Sequence, residues 1–333
     1  MTRPQPSEAE LVDRAFERNR FAIAQLVSLF EDRRARAVEG RARALAAADA
    51  HPLRRSATVV GITGTPGSGK STLLSRIVPE LLAADPELDV AILAVDPSST
   101  ISGGAFLGDR TRMSLSAGEP RLFFRSQASE TQLGGLGPSS FRVCSLLSRL
   151  FGCVFVETVG IGQSEDDVRS VADKTLLVLQ PHGGDEVQFL KAGIMETPDA
   201  FVLNKCDEPA TERSYHQLRS SLWLARPFDG GEVPIYKTSA RTGAGIAELG
   251  RALGAIIASG TSRDPTRKEG LFLERWIREE WGRAGSRVLA TISGGAEALV
   301  RAHGGVERAQ AEFERRFRSE ISVAEVPLRK AGE

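Results

Sequence analysis

Apolar positions along this chain follow one spacing, then another, then the first again, and the two changes divide it into three. Over residues 7 to about 50, Leu11, Phe16, Phe21, Ile23, Leu26, Leu29 and Phe30 stand at amphipathic-helix spacing in a background of Ala, Arg, Glu and Leu. A helical N-terminal extension, residues 1–56, is expected. From Thr58 to about Ala258 the apolar residues instead form short, nearly continuous runs at 58–62, 90–95, 122–124, 153–156, 176–179, 200–203 and 234–236. Runs of that kind separated by helical stretches predict a mostly parallel sheet covered on both faces. After the breaker-rich link 259–265, helical periodicity returns in Leu271, Leu273, Trp276, Ile277 and Trp281, then in a charged stretch over 307–318. The expected division is therefore 1–56, a central domain over 57–260, and a helical region over 261–333.

The first apolar run of the central domain leads directly into Gly64-Thr65-Pro66-Gly67-Ser68-Gly69-Lys70-Ser71-Thr72, and a second helical pattern follows it. Strand, Gly-rich loop and helix in that order form a phosphate-binding P-loop. The glycines let the backbone wrap a phosphate, successive N–H groups point inward, and the helix N-terminus faces the anion. Lys70 then brings its charge to the β- and γ-phosphates, and the Ser71 hydroxyl is placed to ligand Mg²⁺. The expected fold is an α/β P-loop NTPase with a mostly parallel central sheet flanked by helices, carrying helical N- and C-terminal extensions.

Asn204-Lys205-Cys206-Asp207 follows the run ending at Leu203, which puts its side chains at the carboxyl end of the sheet, where open α/β folds bind ligands. This NKxD pattern reads guanine. The Asp207 carboxylate can accept both N1–H and the exocyclic amine, whereas adenine has no proton on N1 and would leave a charge unpaired. Asn204 would hold the purine edge and the loop, Lys205 would lay its stem on the base, and Ser239-Ala240 would offer a backbone N–H to the guanine oxygen. The expected ligands are GTP and GDP with Mg²⁺.

Phosphoryl transfer also needs carboxylates for the metal or its waters. Three positions at strand ends or in Gly-rich loops qualify: Asp96 before Pro97, Asp109 before Arg110, and Glu157 at the head of Glu157-Thr158-Val159-Gly160. Glu157 stands where most GTPases carry Asp, so coordination through water is expected, while Asp96 either approaches the metal or orients the attacking water. Lys70, Asp96, Asp109 and Glu157 are the catalytic candidates, and Ser71, Asp96, Asp109 and Glu157 the metal candidates. Gly160 has the place of a switch glycine whose N–H meets the γ-phosphate. Gln163 lies further beyond it than a water-positioning residue should.

Bulk properties narrow the partners. Lys plus Arg and Asp plus Glu both number 43, so the formal net charge is zero and the electrostatic case for nucleic acid or a membrane surface falls away. No run of about 18 apolar residues appears, so no spanning helix is expected. The first residues lack the apolar core of a secretory signal, and Glu8, Glu10 and Asp13 argue against a transit peptide. Three dispersed cysteines and four histidines suit a reducing compartment and offer no metal-site spacing. A cytoplasmic protein is expected.

Several blocks between about residues 60 and 245 together resemble one family, the MeaB/ArgK-type GTPases that chaperone adenosylcobalamin-dependent acyl-CoA mutases. They are 95–99 (Val-Asp-Pro-Ser-Ser), 108–113 (Gly-Asp-Arg-Thr-Arg-Met), 133–136 (Leu-Gly-Gly-Leu), 157–165, 184–186 (Gly-Asp-Glu) and 191–196 (Lys-Ala-Gly-Ile-Met-Glu). The stretches 13–15 and 26–32 are similar to the family's N-terminal helices. The resemblance implies gating of adenosylcobalamin loading and release of damaged cofactor through a mutase partner. It also implies a homodimer held by the C-terminal helices and a mobile segment at about 181–196, with Asp185, Glu186 and Lys191 as coupling residues. Two departures stand out: His182, where relatives carry a small residue, and the tail after Thr266, which follows the family pattern loosely. A Trp276/Trp281 stripe reads as core or dimer packing. Two other classes share the P-loop. A metal-delivery GTPase of the nickel type needs a thiol and imidazole cluster, and His182 has no cysteine near it in sequence; a small-molecule kinase fits poorly with a guanine reader.

Overall fold

The computed structural model describes residues 6–34, 36–96, 118–129, 136–158, 164–181, 198–226, 233–260 and 264–324. They form two compact units, Met1–Ser262 and Arg263–Glu333.

All seven expected strands form, and they make one sheet: β1 (Thr58–Gly64), β2 (Val90–Asp96), β3 (Leu122–Ala128), β4 (Cys153–Thr158), β5 (Lys174–Leu179), β6 (Ala200–Leu203) and β7 (Ile235–Lys237). Their order is β3-β2-β4-β1-β5-β6-β7, and every neighbouring pair is parallel. The central strands β1, β2 and β4 are buried at every position, which is why they read as continuous apolar runs rather than alternating ones. Because all seven strands are parallel, their carboxyl ends lie along one edge of the sheet, where the candidate site is built.

Helix α4 (Lys70–Ala84) closes one side of the core. Its stripe Leu73, Leu74, Ile77, Val78 and Leu81 is at most 2% exposed and packs with Val60, Ile62, Phe155, Leu176 and Val178 of the sheet and Leu249 and Leu253 of a later helix. Truncating one such leucine to alanine costs about 2–5 kcal/mol. Among the described residues, the helices that follow α4 in this unit are α5 (Pro138–Leu150), α6 (Ser164–Val171), α7 (Thr211–Ala225) and α8 (Ile246–Ala258).

The N-terminal extension is α1 (Glu8–Phe16), α2 (Arg20–Glu31) and α3 (Ala37–Ala50), folded into the same compact unit as the sheet. Ser7 and Glu10 form a capping box at α1, and Asn19 caps α2 through the N–H groups of Phe21 and Ala22. Ile23, Leu26, Val27 and Phe30 are the buried face of α2, whereas Phe21 is 84% exposed because it lies off that stripe. Polar contacts pin the extension to the sheet. The Arg18 guanidinium pairs with buried Asp89 and donates to the Leu150 carbonyl, and Glu31 accepts from Arg125 and from Gln127 on β3.

The second unit contains α9 (Pro265–Thr291), α10 (Gly295–His303) and α11 (Val306–Ala324). Pro265 follows the Asp264 cap, and α9 bends at Gly282, whose φ of 55° breaks the helical path. Phe272, Leu273, Ile277, Val288 and Leu289 are its buried hydrophobic residues, and Leu271, placed on the apolar stripe by spacing, is 43% exposed instead. Trp276 meets Phe313 edge-on and Trp281 lies 4.4 Å from Phe317, so both indoles pack inside this unit.

Candidate functional site

The loop from Thr65 to Gly69 turns back between β1 and α4, and its geometry depends on glycines. Gly64, with φ of 145°, lies so close to β5 that a Cβ there would sit 2.0 Å from the Val178 carbonyl oxygen. Gly69 starts α4 in the left-handed region at φ 85°, and a Cβ there would sit 2.7 Å from the Asn204 amide nitrogen. Pro66 and Gly67 form the exposed crown of the loop, and Ser68 is buried. Lys70 is 7% exposed, and its Nζ donates to the carbonyls of Gly64 at 2.8 Å and Thr65 at 3.0 Å. The ammonium thus sits under the concave side of the loop, where a phosphate oxygen can replace a carbonyl as its acceptor.

Beside it, the Ser71 hydroxyl donates to Glu157 Oε1 at 2.6 Å. Glu157 is the last residue but one of β4, beside Ala94 of β2 and Ile62 of β1, and is 4% exposed. Asp96 ends β2, is 3% exposed, and accepts from Ser126 Oγ at 2.8 Å. Ser71, Glu157 and Asp96 are hard oxygen donors beside or at the ends of neighbouring strands, the chemistry Mg²⁺ takes. Asp109, Gly160, Gln163, His182, Asp185, Glu186 and Lys191 lie outside the described residues.

The guanine reader is joined to the phosphate loop directly. Asn204 is 1% exposed; its Nδ2 donates to the Ser68 carbonyl at 2.8 Å, and its Oδ1 accepts from Thr238 Oγ1 at 3.2 Å and from the Ala240 N–H at 3.3 Å. Lys205 adopts a left-handed φ of 60°, and its Nζ donates to Gln180 Oε1 at 2.6 Å. Asp207 accepts from Ser239 Oγ on one oxygen and from the Arg241 guanidinium on the other. These bonds, the serine's first, hold its carboxyl below the ordinary carboxylate value. Of the Ser239-Ala240 pair, the Ser239 N–H donates to the Ala244 carbonyl at 2.8 Å and the Ala240 N–H to Asn204 Oδ1 at 3.3 Å, the longer bond of the two.

Gly69, Thr72, Asn204, Lys205, Asp207, Ser239, Ala240 and Arg241 line a pocket of about 460 Å³, within the ordinary size range of small-ligand sites. One wall is the start of α4 and the other the loops at 204–209 and 239–241, so the N-terminal end of the phosphate-loop helix and the NKxD segment face one pocket. Arg241, Thr238, Gln180 and Ser126 are the contributors that spacing did not single out. Arg241 directly follows the Ser-Ala pair, and that adjacency is the one sequence signal that sets it apart among the 43 Lys and Arg residues.

Among the described residues no helix is long and apolar enough to cross a membrane, and no group of three or more His, Cys, Asp or Glu side chains is arranged to hold a metal ion.

Comparison with known proteins places these features in a family. The family described as methylmalonyl-CoA mutase-associated GTPase MeaB matches residues 23–273. A protein named as a GTPase in Pyrococcus horikoshii is 41% identical over 245 residues, 72% of this chain and 74% of its own. GTPase ArgK of Escherichia coli is 34% identical over 282 residues, covering 82% of this chain and 83% of ArgK. The fused isobutyryl-CoA mutase of Geobacillus kaustophilus is 34% identical over 229 residues, 66% of this chain but 21% of that protein. A solved structure described as a LAO/AO transport system kinase shares the fold, with a TM-score of 0.62 at 23% identity over 97% of this chain and all of that one. Matched over most of its length by the family, and by relatives that span most of theirs, the chain belongs to the MeaB family of GTPases.

Proposed function

We propose that this GTPase is a chaperone of an adenosylcobalamin-dependent acyl-CoA mutase, methylmalonyl-CoA mutase or a related one, and that its nucleotide state gates cofactor loading and the release of damaged cofactor. The observation that carries the GTP half is the bond between Asn204 and Ser68, which makes the base reader and the phosphate loop a single site. The mutase half is supported by the family description and by the fused relative, whose name is that of a mutase.

In this reading the guanine edge meets Asp207, its oxygen takes the Ala240 N–H, and the Lys205 stem covers the ring. The phosphates take the inward N–H groups of the loop, and Lys70 exchanges the carbonyls of Gly64 and Thr65 for phosphate oxygens. Ser71, Glu157 and Asp96 would hold Mg²⁺, with Asp109 as a further ligand by family resemblance. Mg²⁺ bound there neutralises charge on the β- and γ-phosphate oxygens. Asp96 would orient the attacking water if it does not touch the metal, and Gly160 would sense the γ-phosphate. Residues 261–333 serve as the dimerisation region of a cytoplasmic homodimer.

The test is steady-state GTP and ATP hydrolysis by the purified protein, with and without a purified acyl-CoA mutase from the same source. GTP preference with stimulation by the mutase supports the reading. GTP turnover that no such mutase alters would leave a GTPase serving another partner.

A further inference from the structure

Arg241 occupies the acceptor that the guanine base needs. Each Asp207 oxygen can accept two hydrogen bonds, so the Ser239 hydroxyl can stay while guanine brings N1–H and the 2-amine, whereas the Arg241 guanidinium, which lines the pocket, must give up its place to the base. Here Ser239 Oγ is on one oxygen and the Arg241 guanidinium on the other. The two partners differ in how firmly they are held. Ser239 is fully buried, its Oγ also accepts the Thr242 N–H at 3.1 Å, and its backbone bonds to Gly243 at 2.8 Å and Ala244 at 2.8 Å close a tight loop. The Arg241 side chain is 78% exposed, against 16% for Asp207, so it approaches the carboxylate from the solvent side. It also lines the pocket with Lys205 and Asp207.

We propose that Arg241 is a gate on the guanine pocket: it occupies Asp207 while the pocket has no base and is displaced only by a base that brings donors to both carboxylate oxygens. The proposal rests on Asp207 being the guanine reader. An exposed ion pair contributes up to about 1 kcal/mol, which makes the gate a weak one, and its opening is an exchange of hydrogen bonds rather than a loss. Guanine replaces what it displaces. Hypoxanthine, without the 2-amine, leaves one oxygen to be kept by Arg241, so the arginine compensates the missing donor. The gate therefore lowers affinity for guanine nucleotides modestly and narrows their advantage over inosine nucleotides, while giving the reader a charged partner between turnovers.

The experiment is calorimetric titration of the full-length protein with GDP, inosine 5′-diphosphate and ADP, in the wild type, Arg241→Ala and Arg241→Lys. Thermal melts verify that each variant is folded, as expected for so exposed a side chain. Arg241→Ala is expected to bind GDP up to about fivefold more tightly. Its affinity for the inosine nucleotide should be unchanged or lower, so the preference for GDP widens, and Arg241→Lys should fall between. Unchanged or weaker GDP binding in Arg241→Ala, or an equal change for both nucleotides, overturns the gate. Weakening in Arg241→Ala with wild-type affinity in Arg241→Lys would assign the residue to general attraction of polyanions instead. A wild type that binds ADP as well as GDP fails the guanine reading itself, a result distinguishable from failure of the gate alone.

Discussion

The side-chain amide of Asn204 donates to the backbone carbonyl of Ser68 at 2.8 Å, across 136 residues of chain, and so fixes the base-reading loop to the phosphate loop. The same amide's oxygen accepts from Thr238 and Ala240, so one buried side chain holds three loops together. Replacing it by alanine leaves those groups without their partner, at about 1–3 kcal/mol for each buried polar group left unsatisfied. Asn204→Ala should lower GDP affinity at least about tenfold and lower the melting temperature of the nucleotide-free protein. Weakened GDP binding at an unchanged melting temperature would mean that the amide contacts nucleotide without organising the loops.

The glycines of the phosphate loop should rank by what their Cβ atoms would meet. Gly67 has φ of 80° with open space around it, so Gly67→Ala costs only the left-handed backbone, about 1–2 kcal/mol. Gly69→Ala adds a collision with Asn204 Nδ2, and Gly64→Ala would drive a methyl into the Val178 carbonyl. Chemical denaturation of the three variants should give losses in the order Gly64, Gly69, Gly67, with Gly64→Ala at about 3 kcal/mol or more. A mild Gly64→Ala would show that β1 and β5 can separate at their ends.

Lys70→Ala should reduce GTP turnover by about 10²–10³-fold, the range for losing one preorganised charge-stabilising donor. Turnover that survives the substitution would remove Lys70 from the catalytic assignment.

Glu157→Gln retains size and an acceptor for the Ser71 hydroxyl while removing the charge. The Mg²⁺ concentration needed for half-maximal GTP hydrolysis should rise, whereas GDP binding in excess chelator should stay near wild type. An unaltered Mg²⁺ requirement would place the metal elsewhere.

Ser239→Ala should make guanine binding sensitive to acid. The Asp207 carboxyl sits below its ordinary value of 3.8, first because Ser239 donates to it, so the ionised form is the one the fold favours. That contribution is complete above the ordinary value and disappears as pH falls through the lowered one. In the wild-type protein Asp207 should therefore add no acid limb to GDP affinity between about pH 7 and about pH 5, where the terminal phosphate of GDP, with its second pKa at about 6, titrates in wild type and variant alike. In Ser239→Ala the acid limb should move upward, toward the ordinary value. An acid limb at the same pH in both proteins would show that Arg241 and the backbone suffice.

The seven strands were legible because a parallel sheet with helices on both faces buries every position of its inner strands, leaving apolar runs such as 90–95 and 153–156. The phosphate loop and the NKxD segment were legible for a related reason: each is a short contiguous pattern, 64–72 and 204–207, whose residue types carry its expected chemistry. Periodicity was less informative about coverage. Phe21 and Leu271 have the residue type of core positions but face outward, because spacing places a residue on a helix face without saying what covers it.

By itself, then, the sequence determined the α/β class, the strand-loop-helix of the P-loop and the GTPase family, each carried by local order along the chain. Tertiary structure decided which separate stretches meet: Asn204 with Ser68, Ser71 with Glu157, Lys205 with Gln180, Asp207 with Arg241. It also decided that the N-terminal helices are tied to the sheet through Arg18 with Asp89 and Glu31 with Arg125. These pairings depend on which strand ends lie side by side, set by the order β3-β2-β4-β1-β5-β6-β7, and on long polar side chains whose reach leaves no periodic trace in sequence.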